Sequence, residues 1–274
     1  MEQILVVSAE PWEAERERVE SLASRLPRYE MRFLSPADIK GPFREARFKR
    51  RLRKAAARAG VILAAPAADW ERLQAFGKPV RPLPDGVDFA AFSGIAERTL
   101  PFPDDLFTVK NPIIGHLGPL DAGDNLSYIE AAAAARPDWA FVFAGPVRAD
   151  VSAWKAFPNI HLLGEKPRGH LPVYISRFDV CINIAQQEDA SPVRLYEYLS
   201  AGKPIVSTPH PAQALDYTEE IYLAGTPEEF IACCKKAIGE RDAWKVRRRV
   251  EYGKAASWDA RAAELERMIK ELLL

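Results

Sequence analysis

The chain has 274 residues, of which 48% are hydrophobic and 28% charged, and its 38 basic and 38 acidic residues cancel. This composition is typical of a globular protein with one large domain or two ordinary ones, and the zero net charge gives no whole-molecule case for nucleic-acid binding. The N-terminus has no signal-like pattern, and no apolar run approaches the ~20 residues of a membrane span, so we expect a cytoplasmic protein.

Short apolar runs alternate with amphipathic stretches in the first part of the chain. The apolar runs predict strands or extended segments at 4–7, 29–34, 61–65 and 79–83. The stretches with helical spacing predict helices at 13–26, 43–59 and 67–76. The turn-rich stretch LPDGVDFAAF comes next. It is followed by TLPFPDDLFTVKNP, whose prolines are typical of a linker.

A second series of alternating elements begins at Ile113. Strands are predicted at 113–117, 139–143, 160–163, 179–184, 205–207 and 221–223. Helices are predicted at 125–135, 171–178, 192–201, 227–238 and from 242 onward, with a break near 253–257. This alternation predicts an α/β protein with two doubly wound, Rossmann-like parallel-sheet domains facing a cleft. Ligands of such sheets bind at the carboxyl ends of the strands.

The most informative stretch is SPVRLYEYLSAGKPIVSTPHP, residues 191–211. Ser191 and Pro192 suit the start of a helix, whose unpaired N–H groups and dipole favour an anion such as a diphosphate. Arg194 adds a positive charge with fork geometry, and Glu197 lies on nearly the same helix face, where it can accept bonds from ribose hydroxyls. The alternative is an ordinary capped helix with a surface Arg–Glu pair.

The whole stretch resembles the donor-binding motif of retaining GT-B glycosyltransferases (glycosyl transferases group 1, family 4-like). In that family a Ser-Pro-Lys/Arg segment leads to Glu-Tyr and then to Gly-Lys-Pro. Two acidic residues eight positions apart correspond here to Asp189 and Glu197. The resemblance implies that Glu197 holds the ribose and that Asp189, one methylene shorter than the usual Glu, faces the donor sugar in a catalytic role.

Further segments resemble the same family in the same order, from about Gly60 to the end. They are PDGVDFAAF, IIGHLGPL, DWAFVFAGP, NIHLLGEKPRGHLPVYISRFDVCINI and ASWDARAAELERMIKELLL. The resemblance implies that Gly118 approaches the donor phosphates and Gly145 the nucleobase. It divides the chain into a shortened acceptor-side domain, a linker, a nucleotide-sugar-binding domain and a closing helix that crosses back to the first domain. These parts span 1–95, 96–112, 113–252 and 253–274.

The chain departs from this family in two places. Only about ninety residues precede the linker, against the ~150 of an ordinary domain, and none before Gly60 matches the family's histidine facing the sugar. The glycine turn continues as GPLDAGDN, without the cations that many relatives place there. Arg194 and Lys166 would therefore have to neutralise the diphosphate. His116 is the histidine that we consider as a neighbour of this site.

The resemblance implies transfer of a sugar from a UDP- or GDP-linked donor to a glycan or lipid-linked acceptor in cell-surface polysaccharide synthesis. It implies retention at the anomeric carbon, and neither a metal ion nor a further cofactor. The missing acceptor region favours an alternative, a catalytically inactive nucleotide-sugar-binding or scaffold protein of the same fold. A nucleotide-sugar epimerase is a third interpretation, and its expected acid/base residues are not apparent.

The stretch Arg44–Arg58 carries eight basic residues against one acid. One interpretation is peripheral contact with the anionic inner face of the membrane or with a phosphorylated acceptor. The other, which its alanine-rich apolar stripe favours, is a solvated helix packed on the sheet. A shortened domain would also leave apolar sheet surface for a homodimer to cover.

Three cysteines, Cys181, Cys233 and Cys234, fit neither a disulfide framework nor a zinc site. No histidine has metal-ligand spacing to any of them. We expect them to be small buried side chains in a reducing compartment.

Overall fold

The structure, a computed structural model, describes residues 2–40, 43–65, 68–187 and 190–273. The chain forms two compact units. The first runs to Gly86 and takes in the residues from Ser257 onward, and the second is Val87–Ala256. In the described residues, no helix combines the length and apolar character that crossing a lipid bilayer requires.

The described strands and helices alternate along the chain as far as β10, and three helices follow. The strands are β1 (Glu2–Val7), β2 (Tyr29–Leu34), β3 (Ala59–Ala64), β4 (Val80–Pro82), β5 (Ile113–Leu117), β6 (Ala140–Ala144), β7 (Ile160–Gly164), β8 (Val180–Asn183), β9 (Ile205–Ser207) and β10 (Tyr222–Leu223). The α-helices are α1 (Trp12–Arg25), α2 (Arg44–Ala56), α3 (Trp70–Gln74), α4 (Phe89–Phe92), α5 (Leu126–Ala135), α6 (Leu171–Arg177), α7 (Val193–Ser200), α8 (Pro227–Ile238), α9 (Ala243–Ala255) and α10 (Trp258–Leu273).

The first unit is a parallel sheet in the order β2-β1-β3-β4. Its central strand β1 is buried on both faces, as parallel sheets generally are. Ile4 and Val6 belong to one apolar cluster, and Leu5 and Val7 belong to the other. This alternation is the two-residue period of a strand. Because both faces are apolar, β1 appears in the sequence as a continuous hydrophobic run.

The closing helix α10 packs in the first unit, against α1. Trp258 and Leu265 share an apolar cluster with Val19 and Leu22 of α1. The Trp258 ring lies so close to Gly86 that a Cβ at that position would be 2.5 Å from a ring carbon. Gly86 therefore has to be a glycine for α10 to occupy this place.

The second unit is a parallel sheet in the order β10-β9-β8-β5-β6-β7. Every residue of β5 and β6 is buried, and apolar clusters cover both faces. The chain goes from β5 outward to β7 on one side and then from β8 outward to β10 on the other. The strand order therefore reverses between β5 and β8, and ligands of open α/β sheets bind beside such a switch point.

Two predicted helices are shorter than expected. The helix predicted at 43–59 is α2, which ends at Ala56, and Ala59 instead begins β3 and pairs with Gln3 of β1. Alanine is compatible with a helix and with a strand, so the pairing of Ala59 with β1 determines that this residue belongs to the sheet. The helix predicted at 67–76 is α3, which Asp69 caps by accepting a hydrogen bond from the Arg72 N–H at 3.0 Å.

The proline-rich passage 96–112 packs on the second unit. It contains a short 3-10 turn, Asp104–Leu106, and Leu106 is fully buried in that unit's core. The Tyr174 hydroxyl donates to Asp105 at 3.1 Å. The passage thus has a fixed place in the fold beside α6.

The close contact between β5 and the end of α6 gives a stability prediction. A Cβ on Gly115 would be 2.1 Å from the buried Phe178 ring, so Gly115→Ala should lower the free energy of unfolding by about 1–3 kcal/mol. Gly169→Ala is the matched control, since nothing lies within 4 Å of its added Cβ. We expect the control to stay within about 0.5 kcal/mol of wild type in urea denaturation. Equal effects of the two changes would contradict this account.

Candidate functional site

A cavity of about 410 Å³ lies at the carboxyl ends of β5 and β8, where the strand order of the second unit reverses. We call it the switch-point cavity. Its volume is in the range of small-molecule sites. It is lined by Leu117, Gly118, Pro119, Asp121, Gly123, Asp124, Arg168, Leu171, Asn183, Ala185, Gln187, Ala190, Ser191, Val193, Arg194 and Glu197. The cavity thus contains four of the residues that the sequence proposed for donor binding: Gly118, Ser191, Arg194 and Glu197.

The turn after β5 contains Gly118 and packs against Gly145. Gly118 has a left-handed φ of +90°, and a Cβ there would be 3.3 Å from the Arg194 guanidinium. Gly145, after β6, lies directly behind it, because a Cβ at Gly145 would be 2.0 Å from the Gly118 carbonyl oxygen. Gly118 therefore lines the cavity, whereas Gly145 supports the turn and does not line it.

Arg194 joins α7 to this turn. Its Nη2 donates a hydrogen bond to the Pro119 carbonyl oxygen at 2.9 Å. The helix begins at Val193, one residue later than predicted, and Pro192 is its N-cap. The Ser191 hydroxyl lies 3.5 Å from the Val193 N–H, which is at the outer limit of a hydrogen bond. The cap is therefore weak, and the first turn of α7 faces the cavity.

Glu197 is a buried carboxylate at the wall of the cavity. Only 5% of the residue is exposed, and its Oε1 lies 3.4 Å from Nη2 of Arg168. The Arg168 side chain is half-exposed and belongs to the short turn Arg168–His170 before α6. Arg168 is not among the site residues predicted from the sequence, although it lies in the segment GEKPRGH of the family resemblance. The only signal was a second cation two residues after Lys166.

Lys166 does not line the switch-point cavity. Its ammonium lies 2.8 Å from the Asp105 carboxylate, and it also faces the ring of Tyr174. Hydrogen bonding to Asp105 raises the pKa of Lys166. The structure therefore separates Lys166 from the other proposed donor-binding residues and fixes it to the proline-rich passage. Asp189, proposed to face the donor sugar, lies outside the described residues.

Polar residues that sequence reasoning did not identify form the floor of the cavity. Asn183, at the end of β8, donates to the Ser207 hydroxyl at 2.9 Å and to the His210 carbonyl at 2.6 Å. Asp124 accepts the N–H of Asp121 at 2.8 Å, and burial raises the pKa of Asp124. These residues follow strands, so they meet at one edge of the sheet although they are far apart in sequence.

His116 lies inside β5 and is fully buried behind the cavity. Its Nε2 lies 3.4 Å from the Pro119 carbonyl oxygen, and its ring packs on Phe143 at 5.6 Å. Burial, and then the Arg194 guanidinium, hold the pKa of His116 well below its ordinary value. His116 is therefore a neutral support for the turn and does not line the cavity.

Metal-binding geometry is not found in the part of the chain that the structure describes: no group of three or more His, Cys, Asp or Glu side chains could hold an ion. The cysteines are free, with Cys181 and Cys234 buried and Cys233 partly buried.

Solved structures share this fold. The Anabaena protein HepE, crystallised with UDP and glucose, is 12% identical with a TM-score of 0.63, over 97% of this chain and 99% of that chain. A glycosyltransferase from Rickettsia africae ESF-5 is 12% identical with a TM-score of 0.66, over 99% of this chain and 98% of that one. The two parallel-sheet units therefore have the GT-B glycosyltransferase fold, as predicted.

The profile of the glycosyl transferase-like family matches residues 127–267, more than half of the chain. The chain belongs to this family. It is also 29% identical over 181 residues to TuaH of Bacillus subtilis (strain 168), named as a glycosyltransferase of teichuronic acid biosynthesis. That match covers 62% of this chain and 45% of TuaH, so the matched part spans less than half of that relative.

The buried His116 should make stability depend on pH. An unfolded histidine has a pKa near 6.5, and the folded value is lower, so the unfolded chain binds the proton first as the pH falls. The stabilisation is complete above about pH 6.5 and is lost below it, by up to ~1.4 kcal/mol per pH unit. We expect denaturation of wild type and His116→Gln from pH 8 to 5 to show this slope in their difference. A constant difference would contradict it.

Proposed function

We propose that this protein transfers a sugar from a nucleoside diphosphate sugar to a glycan or lipid-linked acceptor, with retention at the anomeric carbon. The observation that carries the proposal is the switch-point cavity, which brings Gly118, the start of α7, Arg194 and Glu197 together. The complex of HepE with UDP supports a uridine nucleotide, and the name of TuaH supports cell-surface polysaccharide synthesis as the context.

In this proposal the nucleotide lies along the first turn of α7. The N–H groups of that turn and the Arg194 guanidinium face the diphosphate, and the Gly118 turn leaves room for its oxygens. Glu197 lies one helical turn after Arg194, so its carboxylate accepts the ribose hydroxyls. This arrangement supports UDP or GDP donors, because both carry the same ribose and diphosphate.

Catalysis in this proposal rests on the leaving diphosphate. Negative charge grows on the diphosphate as the glycosidic bond breaks, and fixed donors aimed at that charge lower the barrier. Arg194 is such a donor, since its bond to the Pro119 carbonyl fixes the guanidinium before the ligand arrives. Asp189 faces the donor sugar in this proposal, as the family resemblance implies.

For the acceptor we propose contact with α2. Its apolar residues Phe48, Leu52 and Ala56 are buried in the core of the first unit, so the helix does not have its apolar face available for a membrane. Its cations are exposed: Arg44, Arg47, Lys49, Arg50, Arg51, Arg53 and Lys54. They support contact with the phosphates of a lipid-linked acceptor or of the inner membrane surface.

A second candidate is a catalytically inactive nucleotide-sugar-binding protein. It is favoured by the first unit, whose described sheet has four strands and only three helices besides α10. Such a unit offers few loops for an acceptor. Donor binding without hydrolysis or transfer, over a panel of nucleotide sugars and cell-envelope acceptors, would identify this function.

The donor site can be tested by calorimetry with UDP and GDP. Arg194→Ala should weaken the better ligand by at least about tenfold, because it removes a charge-assisted hydrogen bond. Glu197→Ala should abolish any preference for that nucleotide over its 2′- and 3′-deoxy forms, because the ribose partner is lost. Arg247→Ala, on an exposed arginine of α9, is the matched control. Unchanged affinity in Arg194→Ala would refute this site.

The proposed reaction uses the protein's own cations, so metal removal should leave it intact. We expect the rate of sugar transfer to change less than about twofold in excess EDTA, since Arg194 and the α7 N-terminus supply the positive charge. A metal-dependent glycosyltransferase assayed in parallel shows that the chelation is effective. Loss of transfer in EDTA, with recovery on adding Mg²⁺ or Mn²⁺, would overturn the metal-free mechanism.

A further inference from the structure

The switch-point cavity has an excess of negative charge for a site that is proposed to bind a diphosphate. Among its described lining residues, three are acidic, Asp121, Asp124 and Glu197, and two are basic, Arg168 and Arg194. Without Arg168, a single guanidinium would face three carboxyl groups. A ligand with two or more negative charges would then be repelled, because like charges at short range destabilise one another in a partly buried site.

Other cations near the cavity are committed elsewhere. Lys166 is held by Asp105 and Tyr174 and does not line the cavity. Arg148 lies 3.5 Å from Asp121, but its side chain is 63% exposed. An ion pair so open to solvent is weak. Among the described residues, Arg168 and Arg194 are therefore the cations that line the cavity.

The position of Arg168 suits a second phosphate contact. Its guanidinium is anchored at Glu197 on α7, and Glu197 and Arg194 are three residues apart, so they lie on neighbouring positions of one helix face. Its side chain is 47% exposed, whereas that of Glu197 is 6% exposed. Arg168 is therefore the partner that solvent and a ligand can reach, and Glu197 is the more buried partner.

We propose that Arg168 is the second phosphate-binding side chain of the donor site, and that Glu197 holds its guanidinium while the site is unliganded. On binding, the diphosphate takes the Arg168 guanidinium and the ribose hydroxyls take the Glu197 carboxylate. The ligand thus replaces the contact between Arg168 and Glu197 with a polar contact to each of them. This inference rests on the proposed donor-binding function.

The exchange predicts which ligands the site accepts. The ribose of a nucleoside can bind the Glu197 carboxylate only by displacing the Arg168 guanidinium. A nucleoside has no phosphate oxygen to accept hydrogen bonds from the displaced guanidinium. A nucleoside diphosphate satisfies both groups. Arg168 therefore favours nucleoside diphosphates over nucleosides, and this preference separates a phosphate contact from a role in merely orienting Glu197.

The test compares wild type, Arg168→Ala, Arg168→Lys and the control Arg247→Ala. UDP and GDP are titrated by calorimetry, and uridine and guanosine binding is measured by ligand-observed NMR. Arg168→Ala should weaken diphosphate binding by about 10- to 100-fold and should leave nucleoside affinity unchanged or raise it, because the nucleoside no longer has to displace the guanidinium. Arg168→Lys, which keeps the charge, should recover part of the diphosphate affinity. Circular dichroism of each variant confirms that the fold is intact.

Three outcomes overturn the inference, and they separate it from the proposed function. Wild type that binds neither UDP nor GDP refutes both. Wild-type binding that Arg168→Ala leaves unchanged refutes only the role of Arg168. Equal losses for nucleoside and diphosphate also refute it, because they show that Arg168 acts by orienting Glu197.

Discussion

The attachment of α7 to the end of β5 is the interaction on which the candidate site depends. Two side chains of the helix, four residues apart on one face, bind consecutive parts of the same turn. The Tyr198 hydroxyl accepts the Leu117 N–H at 2.8 Å, and Arg194 donates to the Pro119 carbonyl at 2.9 Å. Gly118 lies between them with its left-handed φ. Helix α7 follows β8 in the chain and is hydrogen-bonded to the end of β5, so it connects the two strands that meet at the switch point. The cavity lies at the carboxyl ends of these two strands.

The predicted bounds of β2, β5, β9 and α8 agree with the structure. Strands β5 and β9 are buried throughout, and α8 begins with the strong helix-start signal Thr226-Pro227. The site residues Gly118, Arg194 and Glu197 also meet as a parallel sheet requires. The Lys166–Asp105 pair could not be predicted, since the two residues are far apart in the sequence and Asp105 lies in a 3-10 turn that has no periodic signal.

Net charge is a poor guide to this protein, because the balance of the whole chain conceals two local imbalances. The surface of α2 is strongly basic, whereas the described lining of the switch-point cavity is acidic by one charge. The two surfaces therefore have opposite electrostatic preferences. An anionic partner is attracted to α2 without specific geometry. At the cavity, by contrast, the proposed diphosphate site depends on where the Arg168 and Arg194 guanidinium groups lie, so recognition there would depend on geometry as well as charge.

The candidate site lies in only one of the two units, and this determines which measurement can establish the function. Every described residue that lines the switch-point cavity belongs to the second unit, Val87–Ala256, so the proposed nucleotide site uses described residues of that unit alone. Nucleotide affinity is therefore expected from an active transferase and from an inactive binding protein alike. Transfer additionally requires an acceptor held against the anomeric carbon, and the first unit is small. The decisive quantity is thus the rate of sugar transfer at saturating donor, where donor affinity no longer contributes.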